Sequence, residues 1–159
     1  MKELRILLVD DHEVVRRGLV ALLAARPGWV VVGEAGGGEE AVQKAAELKP
    51  DLIVMDIGMP DMNGLEAARR ILATDPQTKV LILTMYSSGM LVRKALEEGA
   101  QGYVLKSDAA SELVLAVDAL SKDRKFLSSS VREWPAELGR KSAKAISPST
   151  PRTRGGLKQ

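Results

Sequence analysis

Short apolar runs alternate with segments of helical period along the first 127 residues, and this alternation leaves few folds open. Leu4-Arg5-Ile6-Leu7-Leu8-Val9, Leu52-Ile53-Val54-Met55 and Val80-Leu81-Ile82-Leu83 are near-continuous apolar stretches. A strand with one wet face alternates apolar and polar side chains. A parallel strand covered by helices on both faces does not, and it reads like these runs. Strands are expected near 4–9, 29–34, 51–55, 79–83 and 102–105. Between them, 13–25 sets Val15, Leu19, Leu22 and Leu23 on one helical face, and 39–48 does the same with Ala41, Val42, Ala45 and Leu48. A third helix starts at Asn63, with Glu66 three positions on as a capping-box-like partner, and ends before Pro76. A fourth spans 90–98 and is stopped by Gly99. A fifth, about 109–121, carries Leu113, Val117 and Leu120, with Asp108 at its N-cap. Five βα units predict an α/β fold, a doubly wound parallel sheet of flavodoxin-like (βα)5 type with strand order 2-1-3-4-5.

Each strand ends in chemistry. The first is followed by Asp10-Asp11, the third by Asp56, the fourth by Thr84 and the fifth by Lys106. Ligands of open parallel sheets sit beyond the strand C-termini where the order reverses, here between strands one and three. Asp10, Asp11 and Asp56 would crowd together there, and three uncompensated carboxylates repel, so the cluster implies a cation. Oxygen-only donors favour Mg2+ or a similar hard ion. With two acids neutralised, Asp56 is free to attack phosphorus as a carboxylate nucleophile. Lys106 offers a point charge and Thr84 a hydroxyl for the transferred group. Singly, each residue fits a plainer role: a helix cap for Asp10 or Asp11, a turn for Asp56, a strand end for Thr84, a surface lysine for Lys106. Four strand ends supplying complementary groups by accident is the weaker account. His12, the lone histidine, reads as a surface residue at a helix start. Tyr86 and Tyr103 read as half-buried packing residues, and Met55, Met59, Met62, Met85 and Met90 as core or loop packing.

Composition narrows the classes further. Five aromatics in 159 residues mean an aliphatic core, and no run nears the roughly 20 apolar residues of a membrane span. Without cysteine there is no disulfide framework or thiolate metal site, and cytoplasm is the default compartment. Residues 1–130 carry 16 Lys/Arg against 19 Asp/Glu, whereas 131–159 carry 7 against 2. Only eight of the last 29 residues are aliphatic or Trp, too few to bury a core. A domain over 1–127 and a basic, largely disordered tail over 128–159 are expected.

Together these residues closely resemble the receiver domain of bacterial two-component response regulators, over residues 4 to about 127. Leu7-Leu8-Val9-Asp10-Asp11-His12 resembles its opening strand and acid pair, and Asp56-Ile57-Gly58-Met59-Pro60-Asp61-Met62-Asn63-Gly64 its phosphoacceptor loop. Leu83-Thr84-Met85-Tyr86, Ala95 to Tyr103 and Phe126-Leu127-Ser128 are similar to the NarL/FixJ-type subfamily. The resemblance implies a regulatory phosphoacceptor rather than an enzyme, one that catalyses only its own phosphorylation and dephosphorylation. Asp56 would take phosphate from a histidine kinase, with Asp11, Asp56 and the Gly58 carbonyl on Mg2+ and Asp10 near it. Thr84 and Tyr103 would form a switch pair, Lys106 would contact the phosphoryl, and phosphorylation would drive pairing of two copies. Full-length relatives control transcription through a helix-turn-helix domain longer than this tail. Residues 149–157 resemble only its start, so a truncated, frameshifted or artificially cut end and no sequence-specific DNA binding are expected; tail charge alone gives weak, salt-sensitive contacts. A haloacid-dehalogenase-like phosphatase is the enzyme alternative, but it needs Asp-x-Asp where this chain has adjacent acids. A flavodoxin would need a phosphate loop after the first strand.

Overall fold

Side chains on successive strand residues point to opposite faces, so an apolar run feeds two cores at once. The computed structural model, which describes residues 3–131, has this arrangement. Leu7, Val9, Ile53, Met55, Val80, Ile82, Tyr103 and Leu105 belong to one buried cluster; Ile6, Leu8, Leu52, Val54, Leu81, Leu83 and Val104 belong to the other. The strands are β1 (Leu4–Val9), β2 (Trp29–Ala35), β3 (Leu52–Met55), β4 (Lys79–Thr84), β5 (Gly102–Leu105) and β6 (Phe126–Leu127). All pairings are parallel, in the order β2-β1-β3-β4-β5-β6.

Helices α1 (Glu13–Ala24) and α5 (Ala109–Ser121) cover one face, with Leu19, Leu23, Leu113, Val117 and Leu120 turned inward. Helices α2 (Gly38–Leu48), α3 (Gly64–Thr74) and α4 (Gly89–Glu97) cover the other, through Ala41, Ala45, Ala67, Ala68, Ile71, Val92 and Ala95. Small alanines on this side let the helices approach the sheet closely, which suits a core almost without aromatics. The flavodoxin-like order 2-1-3-4-5 therefore holds, extended by one edge strand. None of the described helices is long and apolar enough to cross a membrane.

Several local expectations change in detail. The sixth strand is only two residues, too short for a periodic signal. It hydrogen-bonds to β5 through Phe126 N–H to Gln101 O and Ser128 N–H to Tyr103 O. Ser128 and Val131 are fully buried, so packing continues past residue 127, where the tail was expected to begin. The expectation of a disordered tail over 132–159 lies outside the described residues. Asn63 caps α3, its Oδ1 accepting from Leu65 N–H at 2.6 Å, but Glu66 does not close the box. It is held instead by Arg69 and Arg70 one turn on. Asp108 occupies the N-cap of α5 without a side-chain capping bond. Ser88 caps α4 by accepting from Leu91 N–H. Gly99, at φ +106, ends α4 in a conformation that L side chains avoid.

The tightest point lies beneath the third strand's end. Gly64 donates its N–H to Ile57 O at 2.9 Å, and a Cβ at this position would stand 1.8 Å from the Asp56 carbonyl oxygen. Backbone cannot yield as a side chain does. Gly64→Ala is therefore expected to cost about 1–3 kcal/mol or more in urea denaturation. A variant as stable as the parent would contradict the contact.

Candidate functional site

The sheet brings the C-terminal ends of β1 and β3 side by side, and the backbone locks them there. Asp10 N–H donates to Ala35 O at 3.0 Å, and Asp56 N–H donates to Val9 O at 3.1 Å. Asp10 is 1% exposed and Asp56 4%. Lys106, in the 3-10 turn that follows β5, reaches across to both. Its Nζ lies 2.8 Å from Asp10 Oδ2 and 3.0 Å from Asp56 Oδ2. Burial works against the ammonium charge, but hydrogen bonds to Asp10 and Asp56 outweigh it and hold the Lys106 pKa above its ordinary value.

One cation does not balance three acids. Asp10, Asp11, Asp56 and His12 each offer a donor atom, and the four lie within 4.8 Å of one another. Asp11 Oδ1 is buried without an aligned hydrogen-bond donor, whereas Asp10 Oδ2 is held by Lys106. Sequence reading left His12 as a bystander. Its side chain is 59% exposed, yet Nδ1 lies 3.2 Å from both Asp10 Oδ1 and Asp11 Oδ1.

Thr84 and Tyr103 meet through the backbone between them. Thr84 Oγ1 accepts from Tyr86 N–H at 3.4 Å, and the Tyr103 hydroxyl donates to Tyr86 O at 2.5 Å. Tyr103 is fully buried rather than half-buried, and burial pushes its phenol up to about 12. The fold thus favours the neutral phenol, a contribution complete below pH 10 and lost as pH rises towards 12. Tyr86 is 44% exposed, and its hydroxyl would come within 2.9 Å of a Cβ at Gly58. Gly58 N–H in turn donates to Asp56 Oδ1 at 3.4 Å. Met85 and Met90, expected to pack, are largely exposed beside this loop.

Three supporting residues escaped the sequence reading because their partners are remote in the chain. Arg16 donates from NH1 to Asp10 O at 2.5 Å and from Nε to Glu34 at 3.0 Å, tying α1 to the end of β1. Ser128 Oγ accepts from Leu105 N–H at 3.3 Å, next to Lys106. Asp61, in the loop after Asp56, accepts from Gly38 N–H at 3.0 Å and Glu39 N–H at 3.1 Å, and so caps α2 from a distance. Only a run of acid, proline and glycine was legible there, and it signals a turn.

A buried carboxylate, flanked by two acids and a lysine, thus lies at the C-terminal edge of a six-stranded parallel sheet covered by five helices. The model of the "response regulator receiver domain" family matches residues 6–118. The chain belongs to that family. It is 46% identical over 123 residues to the DNA-binding transcriptional activator DevR/DosR of Mycobacterium tuberculosis, covering 77% of this chain and 57% of that protein. Identity to the transcriptional regulatory protein LiaR of Bacillus subtilis is 43% over 128 residues, covering 80% and 61%. A solved two-component response regulator of the LuxR family from Aurantimonas sp. SI85-9A1 superposes with a TM-score of 0.83 at 40% identity, covering 87% of this chain and 99% of that one. The chain spans about three fifths of the length of the curated relatives it matches. The phosphatase alternative finds no support, in keeping with adjacent rather than alternating acids at the end of β1.

Backbone hydrogen bonds from Glu39 and then Gly38 hold the Asp61 carboxylate below its ordinary value of 3.8. A depressed folded-state pKa gives stability that is present above the unfolded value and lost as pH falls through the folded one. Asp61→Asn is expected to melt below the parent at pH 7, with the gap closing as pH falls below 3.8. Thermal melts across that range test it; a pH-independent gap would contradict the charge-based cap.

Proposed function

We propose that this chain is a phosphorylation-controlled signalling switch in which Asp56 accepts a phosphoryl group with the help of Mg2+. The observation that carries the reading is the buried Asp56 carboxylate, 3.0 Å from Lys106 Nζ and within one cluster with Asp10 and Asp11. The buried Asp11 Oδ1, without an aligned hydrogen-bond donor, fits a hard divalent cation, which prefers carboxylate, carbonyl and water oxygens. Asp11, Asp56 and the Gly58 carbonyl would hold it, with Asp10 beside them. When bound, Mg2+ supplies the positive charge that lets an anionic phosphoryl approach three carboxylates.

The chain's own residues do the rest. An Asp56 oxygen attacks the phosphorus of a phosphohistidine on a sensor kinase. The new P–O bond forms as the P–N bond breaks, and the imidazole nitrogen retains the electron pair and takes a proton from solvent. Lys106 already lies beside Asp56 and meets the charge on the equatorial oxygens of the transferred group. The Thr84 hydroxyl donates to the product phosphoryl, and to do so it turns away from Tyr86 N–H. That frees the backbone that Tyr103 holds from the other side. A local electrostatic event thereby shifts the surface around β4, α4 and β5. Pairing of two phosphorylated copies and control of transcription, as a cytoplasmic regulator, are the outputs this reading implies. No reaction on an external substrate is needed, so the role is regulatory rather than enzymatic.

Intact-mass measurement with acetyl phosphate tests the proposal. The parent is expected to gain one phosphoryl group only with Mg2+ present, and Asp56→Ala none. Undiminished uptake by Asp56→Ala, or uptake independent of Mg2+, would overturn it.

A further inference from the structure

Ser128 ends the pairing of β6 with β5 through its side chain rather than its backbone. Phe126 N–H donates to Gln101 O at 3.0 Å and Ser128 N–H to Tyr103 O at 2.9 Å, the evenly spaced rungs of a parallel pair. The next rung in that pattern runs from Leu105 N–H to the Ser128 carbonyl. That carbonyl is turned away. It accepts instead from Val131 N–H at 3.0 Å, in the 3-10 turn Ser129–Val131 by which the chain leaves the sheet. The Ser128 hydroxyl takes its place on the ladder, Oγ accepting from Leu105 N–H at 3.3 Å. Both residues are buried, so the Leu105 amide has little access to water as a replacement acceptor. Ser129 anchors the turn from the other side, its N–H donating to Glu112 Oε1 of α5 at 2.9 Å.

We propose that Ser128 is a positioning residue for phosphoryl transfer: by fixing the Leu105 amide, its hydroxyl sets where β5 ends and Lys106 begins. The inference rests on reading Asp56 as the phosphoacceptor. Lys106 follows Leu105 directly and opens the 3-10 turn Lys106–Asp108. Its side chain is 18% exposed, with Nζ 2.8 Å from Asp10 and 3.0 Å from Asp56. Without the hydroxyl, Leu105 N–H is left buried with no acceptor, which favours a turn of that peptide towards water. The ammonium then meets the equatorial oxygens of the transferred group out of place. A flexible four-carbon stem absorbs part of such a shift, so transfer slows rather than stops. Leu105 and Ser128 are 23 positions apart, so the segment leaving the sheet sets the geometry of a pocket built much earlier in the chain.

The test compares the full chain with Ser128→Ala and Val131→Ala. Val131 is fully buried in the same turn, and alanine there removes packing but keeps the Ser128 hydroxyl. Two quantities are read for each: exchange of the Leu105 amide by NMR, and the initial rate of phosphoryl uptake by intact mass, with acetyl phosphate and saturating Mg2+. In Ser128→Ala the Leu105 amide is expected to exchange faster and uptake to slow about tenfold. Val131→Ala is expected to melt below the parent yet keep both the amide protection and the rate. Uptake at the parent's rate in Ser128→Ala, or equal slowing in Val131→Ala, would overturn the positioning role while leaving Asp56 as the acceptor. Failure of the parent itself to take up a phosphoryl group would overturn the acceptor reading, and the inference with it.

Discussion

Lys106 Nζ sits between two buried carboxylates that would otherwise repel, 2.8 Å from Asp10 and 3.0 Å from Asp56. Those residues come from the ends of β5, β1 and β3, so the bridge draws three strand termini to one point. Breaking it would leave a buried, uncompensated charge, which is costly in a low-dielectric setting. The bridge is also incomplete, since one ammonium faces three acids. Under the proposed function this residual negative charge would admit a divalent cation, which with Lys106 would receive the phosphoryl group. Stability and function draw on the same imbalance.

The scaffold keeps the pocket in register by tying each loop to a remote element. Arg16 clamps the end of β1 to α1 and Glu34, Asp61 fastens the loop after Asp56 to the start of α2, and Ser128 holds Leu105 beside Lys106. Gly64 lets α3 begin directly under the Asp56 carbonyl. The β4–α4 loop is the exception. Tyr86 is held through its backbone, to Thr84 on one side and Tyr103 on the other, with exposed Met85 and Met90 nearby. Under the proposed function this loop would shift when Thr84 is drawn to the phosphoryl group.

Much of this was legible because the signals are local. Continuous apolar runs marked β1, β3 and β4, helical periodicity marked α1 and α5, and the residue after each run named Asp10, Asp56 and Thr84. What the residue string concealed is long-range. The cap that Asp61 gives α2 spans 23 positions, and nothing near Asp61 announces it. Phe126–Leu127 is too short to show a period, so β6 became visible only through its pairing with β5. Glu66 illustrates the opposite error, where a capping-box spacing was present but two arginines one turn later attracted the carboxylate more strongly. His12 looked like a surface residue, and by exposure it is one; only the direction of its Nδ1 sets it against the acids.

The family to which the chain belongs, its strand order and its converging strand-end charges support the proposal that Asp56 is the residue that takes the phosphoryl group. An acyl phosphate on aspartate has a distinctive reactivity, because borohydride reduces it to homoserine and leaves a free carboxylate untouched. Reduction of the phosphorylated chain followed by peptide mass spectrometry therefore reads the modified position directly. The account predicts homoserine at position 56 and at no other acid. Homoserine at Asp10, Asp11 or Asp61 instead, or phosphate recovered on His12, would contradict it.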